Sequence, residues 1–160
     1  MKLYIGSDHT GYEFKEELKK YFTELGYKIE DKGAFTYEAN DDYPDFIIPV
    51  AESVASDKGS FGVILGGSGQ GEAMCANRIK GVRTAVFYGE ILPKEDIDAL
   101  GHKSVDSFEI IKLARMHNNA NVLSLATRFL SLDEMKFAIE LFLNTKFEGE
   151  ERHVRRINKF

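Results

Sequence analysis

Short apolar runs alternate along the chain with stretches whose apolar residues recur every three or four positions, a pattern that reads as strand, helix, strand, helix. Leu3-Tyr4-Ile5, Tyr27 to Asp31, Phe61 to Leu65, Arg83 to Phe87 and Asn121 to Ala126 read as strands. Thr10 to Leu25 reads as a helix ended by Gly26, with Thr10 and Glu13 at capping-box spacing and Phe14, Leu18, Tyr21, Phe22 and Leu25 on one face. Phe46 to Ser56 follows as a helix in which Pro49 is tolerated only in the first turn. Further helices are expected over Glu72 to Ile79 and Ser107 to Met116, and after Ser131 and Glu134, with Met135, Ala138, Ile139 and Phe142 inward. This order predicts an α/β fold whose parallel sheet carries helices on both faces and holds its ligand beyond the C-terminal ends of the strands. Three such ends should converge: Ser7-Asp8-His9-Thr10-Gly11 after the first strand, the glycines from Gly66 after the third, and Thr127-Arg128 after the fifth.

Composition narrows the setting. The 160 residues, 43% of them hydrophobic, suit one domain over 1–160, with a basic C-terminal segment at 149–160. A formal charge of −5 argues against a nucleic-acid or anionic-membrane surface as partner. With Cys75 alone there is no intrachain disulfide, and Met1 to Asp8 is too polar for a signal peptide, so a cytoplasmic protein is expected. No apolar run approaches the roughly 20 residues that span a bilayer.

The strongest chemical signal is Val63-Ile64-Leu65-Gly66-Gly67-Ser68-Gly69-Gln70-Gly71-Glu72, a buried-strand pattern running into four glycines and a carboxylate at a helix start. Such a turn exposes backbone N–H groups that suit a small anion. Glu72 places a negative charge beside that anion, which is unhelpful for binding and useful for a base that takes a proton from bound substrate. A Walker loop is excluded because no lysine follows, and a dinucleotide fingerprint fails because Glu72 stands where its third glycine belongs. Ser68 sits where a nucleophile elbow would put its serine, but Gln70 replaces the closing glycine. Taken alone, the glycines equally fit a plain strand-to-helix connection.

Other candidates carry the same ambiguity. Asp8 fits a helix cap as well as a ligand contact, and His9 fits an exposed turn. His117-Asn118-Asn119 closes the fourth helix, where histidine also pairs with helix carbonyls. In the tail Gly149-Glu150-Glu151-Arg152-His153-Val154-Arg155-Arg156, a helix would set Arg152 and Arg156 on one face at i, i+4, a grip for phosphate or a solvated face paired with the neighbouring glutamates. No His-x-His, H-E-x-x-H or paired-cysteine spacing suggests a metal.

Ser7-Asp8-His9-Thr10-Gly11, Asp42-Tyr43-Pro44, Gly66 to Glu72, Ala76-Asn77-Arg78, His117-Asn118-Asn119-Ala120-Asn121-Val122-Leu123 and Gly149 to His153, together and in this order, resemble the type B ribose-5-phosphate isomerases. The wider family includes allose-6-phosphate and galactose-6-phosphate isomerases. The resemblance implies a Rossmann-like three-layer sandwich with a five-stranded parallel sheet, no metal or redox cofactor, and aldose–ketose interconversion of a sugar phosphate. It also implies a homodimer with shared active sites, or a tetramer built from it. It makes Glu72 the base that moves a proton between C1 and C2 and His117 the acid that opens the sugar ring. Asp8, His9, Tyr43, Gly67, Ser68, Gly69, Gln70, Gly71, Asn118, Arg128, Arg152 and Arg156 become substrate contacts, the arginines chiefly to phosphate. Some family members carry a cysteine where this chain has Gly66, which leaves Cys75 as a packing residue. Ribose 5-phosphate is the leading substrate; another sugar phosphate, or a non-catalytic phosphosugar-binding role, stays open.

Two further expectations follow. The stretch Tyr88 to Val105 is longer than the turn expected in this family and leaves the fourth strand at the ligand edge, fitting a lid, an extra interface or a surface elaboration. In a parallel sheet Glu72 follows the C-terminal end of strand three, whereas His117 precedes the N-terminal end of strand five, so roughly 17–20 Å of strand separates them. If both serve one reaction, His117 must come from a partner subunit across a two-fold interface.

Overall fold

The computed structural model describes residues 1–160. Five parallel strands, β1 (Lys2–Ser7), β2 (Lys28–Asp31), β3 (Phe61–Gly66), β4 (Thr84–Phe87) and β5 (Val122–Ala126), form one sheet in the order β2-β1-β3-β5-β4. Six helices accompany them: α1 (Tyr12–Glu24), α2 (Pro44–Ser56), α3 (Gln70–Ala76), α4 (Glu109–Met116), α5 (Leu132–Asn144) and α6 (Glu151–Ile157).

Strand periodicity divides the core in two. Leu3, Ile5, Val63, Leu65, Leu123 and Leu125 point to one face, where Leu18 and Phe22 of α1, Ile111 of α4 and Met135, Ala138, Ile139 and Phe142 of α5 cover them. Tyr4, Ile64 and Val122 point to the other, against Ile47, Val50, Ala51 and Val54 of α2 and Ala76 of α3. The connections explain the split. The crossovers β1-α1-β2 and β4-α4-β5 run along the sheet in one direction, β2-α2-β3 and β3-α3-β4 in the other, so right-handed crossovers put α1 and α4 on one face and α2 and α3 on the opposite one. The direction of travel reverses between β1 and β3, and that switch point opens a crevice outside their C-terminal ends.

Local departures from the sequence reading have identifiable causes. Thr10 and Glu13 form no capping box; Asp8 Oδ1 instead accepts from the Thr10 N–H (2.9 Å) and the Thr10 hydroxyl (2.5 Å), capping a 3-10 turn at His9–Gly11 before α1 begins. Helix α2 begins two residues early, because Pro44 supplies the preset φ of a first turn, and this leaves Pro49 inside the helix. Helix α3 spans only Gln70–Ala76: Asn77 closes it, and its side chain pairs with the Thr84 N–H (2.7 Å) and carbonyl (3.3 Å) at the start of β4. The expected Ser131–Glu134 capping box is present at α5.

Candidate active site

The strands β1, β3 and β5 lie side by side, Ser7 opposite Leu65 and Gly66 opposite Ala126, so the segments that follow them leave from one edge. The glycine loop turns over β5. Gly69 adopts the left-handed conformation (φ 70°) that begins α3, and its carbonyl accepts from the buried Ser124 hydroxyl at 2.7 Å. Gly66 is held from the next strand, its carbonyl accepting from the Thr127 N–H (2.9 Å) and hydroxyl (3.1 Å). Ser68 Oγ accepts from the Gln70 N–H at 3.3 Å.

Glu72 stands in the first turn of α3 and is 5% exposed. Its carboxylate folds back over Gly66, so closely that a Cβ at that position would overlap Oε1 and Cδ. Burial lifts its pKa above the ordinary 4.5, its own backbone N–H donates to the carboxylate and pulls the other way, and the charge of nearby Asp8 adds to the rise. Asp8 is itself buried. His9 is fixed by Asp41, whose Oδ1 accepts from the His9 N–H (3.1 Å) and bonds Nδ1 (2.6 Å). The Tyr43 ring packs on Gly71, its hydroxyl 3.0 Å from where a Cβ would stand, and the Arg128 guanidinium lies over Gly67. Asp8, His9, Tyr43, Gly67 to Gly71, Glu72 and Arg128 therefore share one edge of the sheet. Cys75 is half-buried on α3 with its thiol pKa raised by burial.

The remaining candidates gather at the opposite edge. His117 caps α4, and the chain turns into β5 through Asn119, whose φ of 47° is a left-handed conformation that asparagine tolerates. Buried Arg115 bonds Asn119 Oδ1, the Ala120 carbonyl and the Thr145 carbonyl, and lies against the Phe61 and Phe142 rings, tying the end of α4 to the segment leaving α5. The Glu148 N–H then donates to the Met116 carbonyl at 3.2 Å, and α6 follows with His153 stacked on His117. Arg152 thus belongs to the His117 edge, where its Nε pairs with Glu150 at 2.6 Å; Arg156 is exposed on the same helix. The Asn118 carbonyl accepts from Arg83 Nε at 3.1 Å.

Glu72 and His117 do not meet within one chain. They sit beyond opposite ends of the sheet, separated by the five residues of β5, about 17 Å of strand. Sequence reasoning missed Asp41, which is far from His9 along the chain and carries no motif, and assigned nothing to His153, although it lies inside the quoted tail.

An α/β sheet with a switch-point crevice, a loop of backbone donors, a raised carboxyl and a nearby arginine describes a protein built to act on a small phosphorylated substrate. The chain belongs to the family described as Ribose/Galactose Isomerase, whose model matches residues 3–92 and 104–160. It is 35% identical over 158 residues to ribose-5-phosphate isomerase B of Mycobacterium leprae, covering 99% of this chain and 86% of that one. It is 33% identical over 159 residues to the putative sugar phosphate isomerase YwlF of Bacillus subtilis, covering 99% of this chain and 94% of that one. Among solved structures it resembles ribose-5-phosphate isomerase B from Mycoplasma genitalium with bound ribulose-5-phosphate, with TM-score 0.83 and 34% identity over 99% of this chain and 92% of that one. The family match skips residues 93–103, which lie inside the stretch 88–105.

Proposed function

We propose that this isomerase interconverts ribose 5-phosphate and ribulose 5-phosphate, with Glu72 as the base and His117 as the ring-opening acid. The observation that carries this reading is Glu72: a buried carboxyl of raised pKa folded over Gly66 of the glycine loop, with Arg128 over the adjoining Gly67. In the furanose the aldehyde is masked. A proton from His117 to the ring oxygen accompanies cleavage of the bond from C1 to that oxygen, and the anomeric hydroxyl loses its proton to solvent water to give the open aldose. Glu72 then takes the C2 proton and returns it to C1, the hydroxyl proton of O2 passing to O1 so that C2 becomes the carbonyl, while the loop N–H groups and the Ser68 hydroxyl stabilise the enediolate oxygens. Desolvation brings Glu72 closer in basicity to its task than an exposed glutamate would be.

Because the two groups occupy opposite edges of one chain, the reading requires a homodimer in which His117, Arg152 and Arg156 of one subunit face Glu72 of the other. The test is isomerisation of ribose 5-phosphate, allose 6-phosphate and galactose 6-phosphate in parallel, with chelator present. Preferred turnover of ribose 5-phosphate is expected; preference for a six-carbon substrate reassigns the substrate, and no turnover of any refutes catalysis. Co-expressed Glu72→Gln and His117→Asn chains should recover about half of wild-type activity as a mixed dimer, since one site collects both lesions and the other has neither. No recovery refutes the shared site.

A further inference from the structure

The His117 ring is not held by a hydrogen bond. Glu148 Oε2 is 3.8 Å from its Nε2, too far to fix the ring's orientation. What the ring does touch is another imidazole: His153 lies face to face with it, ring centroids 4.3 Å apart and planes inclined by 12°. His153 is 5% exposed and its Nε2 is buried without a hydrogen-bond partner; the Glu150 carboxylate is 3.8 Å away. A buried polar nitrogen left unpaired costs stability that a phenyl ring of similar shape would not cost. The backbone that carries it is anchored, because the His153 backbone N–H donates to the Glu150 carbonyl at 2.9 Å in the first turn of α6.

From this geometry, and resting on the ring-opening role given above to His117, we propose that His153 is a positioning residue: its buried imidazole is the platform that fixes the plane of the His117 ring. A general acid must meet the ring oxygen along a defined line, and a displacement of about 1 Å can cost on the order of 10²-fold in rate. Burial, then the neighbouring charges of His117 and Arg152, hold the His153 pKa below the ordinary 6.5, with Glu150 opposing and Arg156 reinforcing. Near neutral pH His153 is therefore an uncharged surface, and His117 is the more exposed of the two side chains, at 19% against 6%. Glu148 and Glu150 are the carboxylates that face the pair.

The experiment separates ring opening from proton abstraction. Ribulose 5-phosphate cannot close a furanose, because its C5 hydroxyl carries the phosphate, so exchange of its C1 proton with deuterated solvent needs Glu72 and no ring-opening acid. His153→Ala removes the platform and His153→Phe keeps a flat ring without nitrogens. On the positioning reading His153→Ala lowers kcat for ribose 5-phosphate at least ~10-fold, leaves C1 exchange within about twofold and barely changes KM. His153→Phe restores most of kcat, and both variants retain the wild-type fold by circular dichroism. An unchanged kcat in His153→Ala overturns the proposal. So does equal damage in His153→Phe, or a rise in KM as the main effect, which would make His153 a direct substrate contact. His117→Asn is the control for the underlying role: if it slows exchange as much as isomerisation, His117 is not a ring-opening acid, whatever His153 does.

Discussion

Gly66→Ala tests the central claim about Glu72 without touching Glu72. A methyl carbon at residue 66 would overlap Oε1 and Cδ of Glu72 and stand 2.7 Å from Oε2. Carbon and oxygen settle at more than about 3.3 Å, so the carboxylate as a whole must retreat by roughly 1 Å or more. The three nearest obstructing atoms all belong to the far end of that one flexible side chain. For a base that must meet a carbon-bound proton, a shift of that size is worth on the order of 10²-fold in kcat, or about 2.7 kcal/mol of barrier. Stability should change little, since replacing glycine by alanine restricts the unfolded chain and contributes about 0.4–1 kcal/mol in the favourable direction. The assay is steady-state isomerisation of ribose 5-phosphate alongside a thermal melt. A second arm adds Glu72→Gln: if both changes remove one function, the double variant is no slower than Glu72→Gln alone. A kcat within threefold of wild type, in a protein that melts normally, would refute the placement of the base over Gly66.

Glu72→Gln should abolish nearly all turnover while ribose 5-phosphate still binds in calorimetry; loss of binding in step with rate would mean that Glu72 is a ligand contact and not a base. The same variant should melt higher than wild type at neutral pH. A carboxyl whose folded pKa is raised carries no ionisation penalty below the ordinary 4.5, loses stability as pH climbs from there towards the raised value, and holds that loss above it. The advantage of the variant should therefore vanish below about pH 4.5, and an advantage that persists there would have another origin. The acid limb of kcat/KM should fall above 4.5 and appear likewise in the C1-exchange profile of the wild-type protein, which needs Glu72 alone; a limb at or below 4.5 contradicts the raised carboxyl. Arg152→Ala and Arg156→Ala should chiefly raise KM, and unchanged KM in both would return α6 to a solvated face paired with Glu150.

Much of this was readable in the chain because the signals were local. The strands were legible as apolar runs, and their flanks announced the helices, so the three loops at the Glu72 edge could be brought together from topology alone. The separation of Glu72 from His117 came from the same reasoning, and the register of β3 against β5 agrees with it. What escaped the sequence depends on contacts between distant segments. Asp41 bonds His9 across 32 positions. The seating of Glu72 over Gly66 depends on how α3 leaves the loop. The tail could be read as a basic helix, but its side of the molecule is decided by Arg115 and by the Glu148–Met116 hydrogen bond, which no periodicity encodes. Pro49 misled for a related reason: a proline marks a preferred helix start, and here Pro44 had already supplied one.

The stretch outside the family match returns to where it left. The Ile91 N–H donates to the Ser107 carbonyl at 2.9 Å, and the Ser107 hydroxyl donates to Glu90 at 2.5 Å, so the excursion hangs from a closed neck. Inside it Asp98 accepts from the Leu100 and His102 N–H groups, and the Ile97 N–H donates to the His102 carbonyl, a knot made of its own residues. The sheet therefore does not feel the length of what lies beyond the neck. Doubling such a loop adds only about 0.6 kcal/mol of closure entropy. For a lineage this is a place where residues can be gained or lost without refolding the enzyme, and for an experimenter it is a place to splice in a reporter.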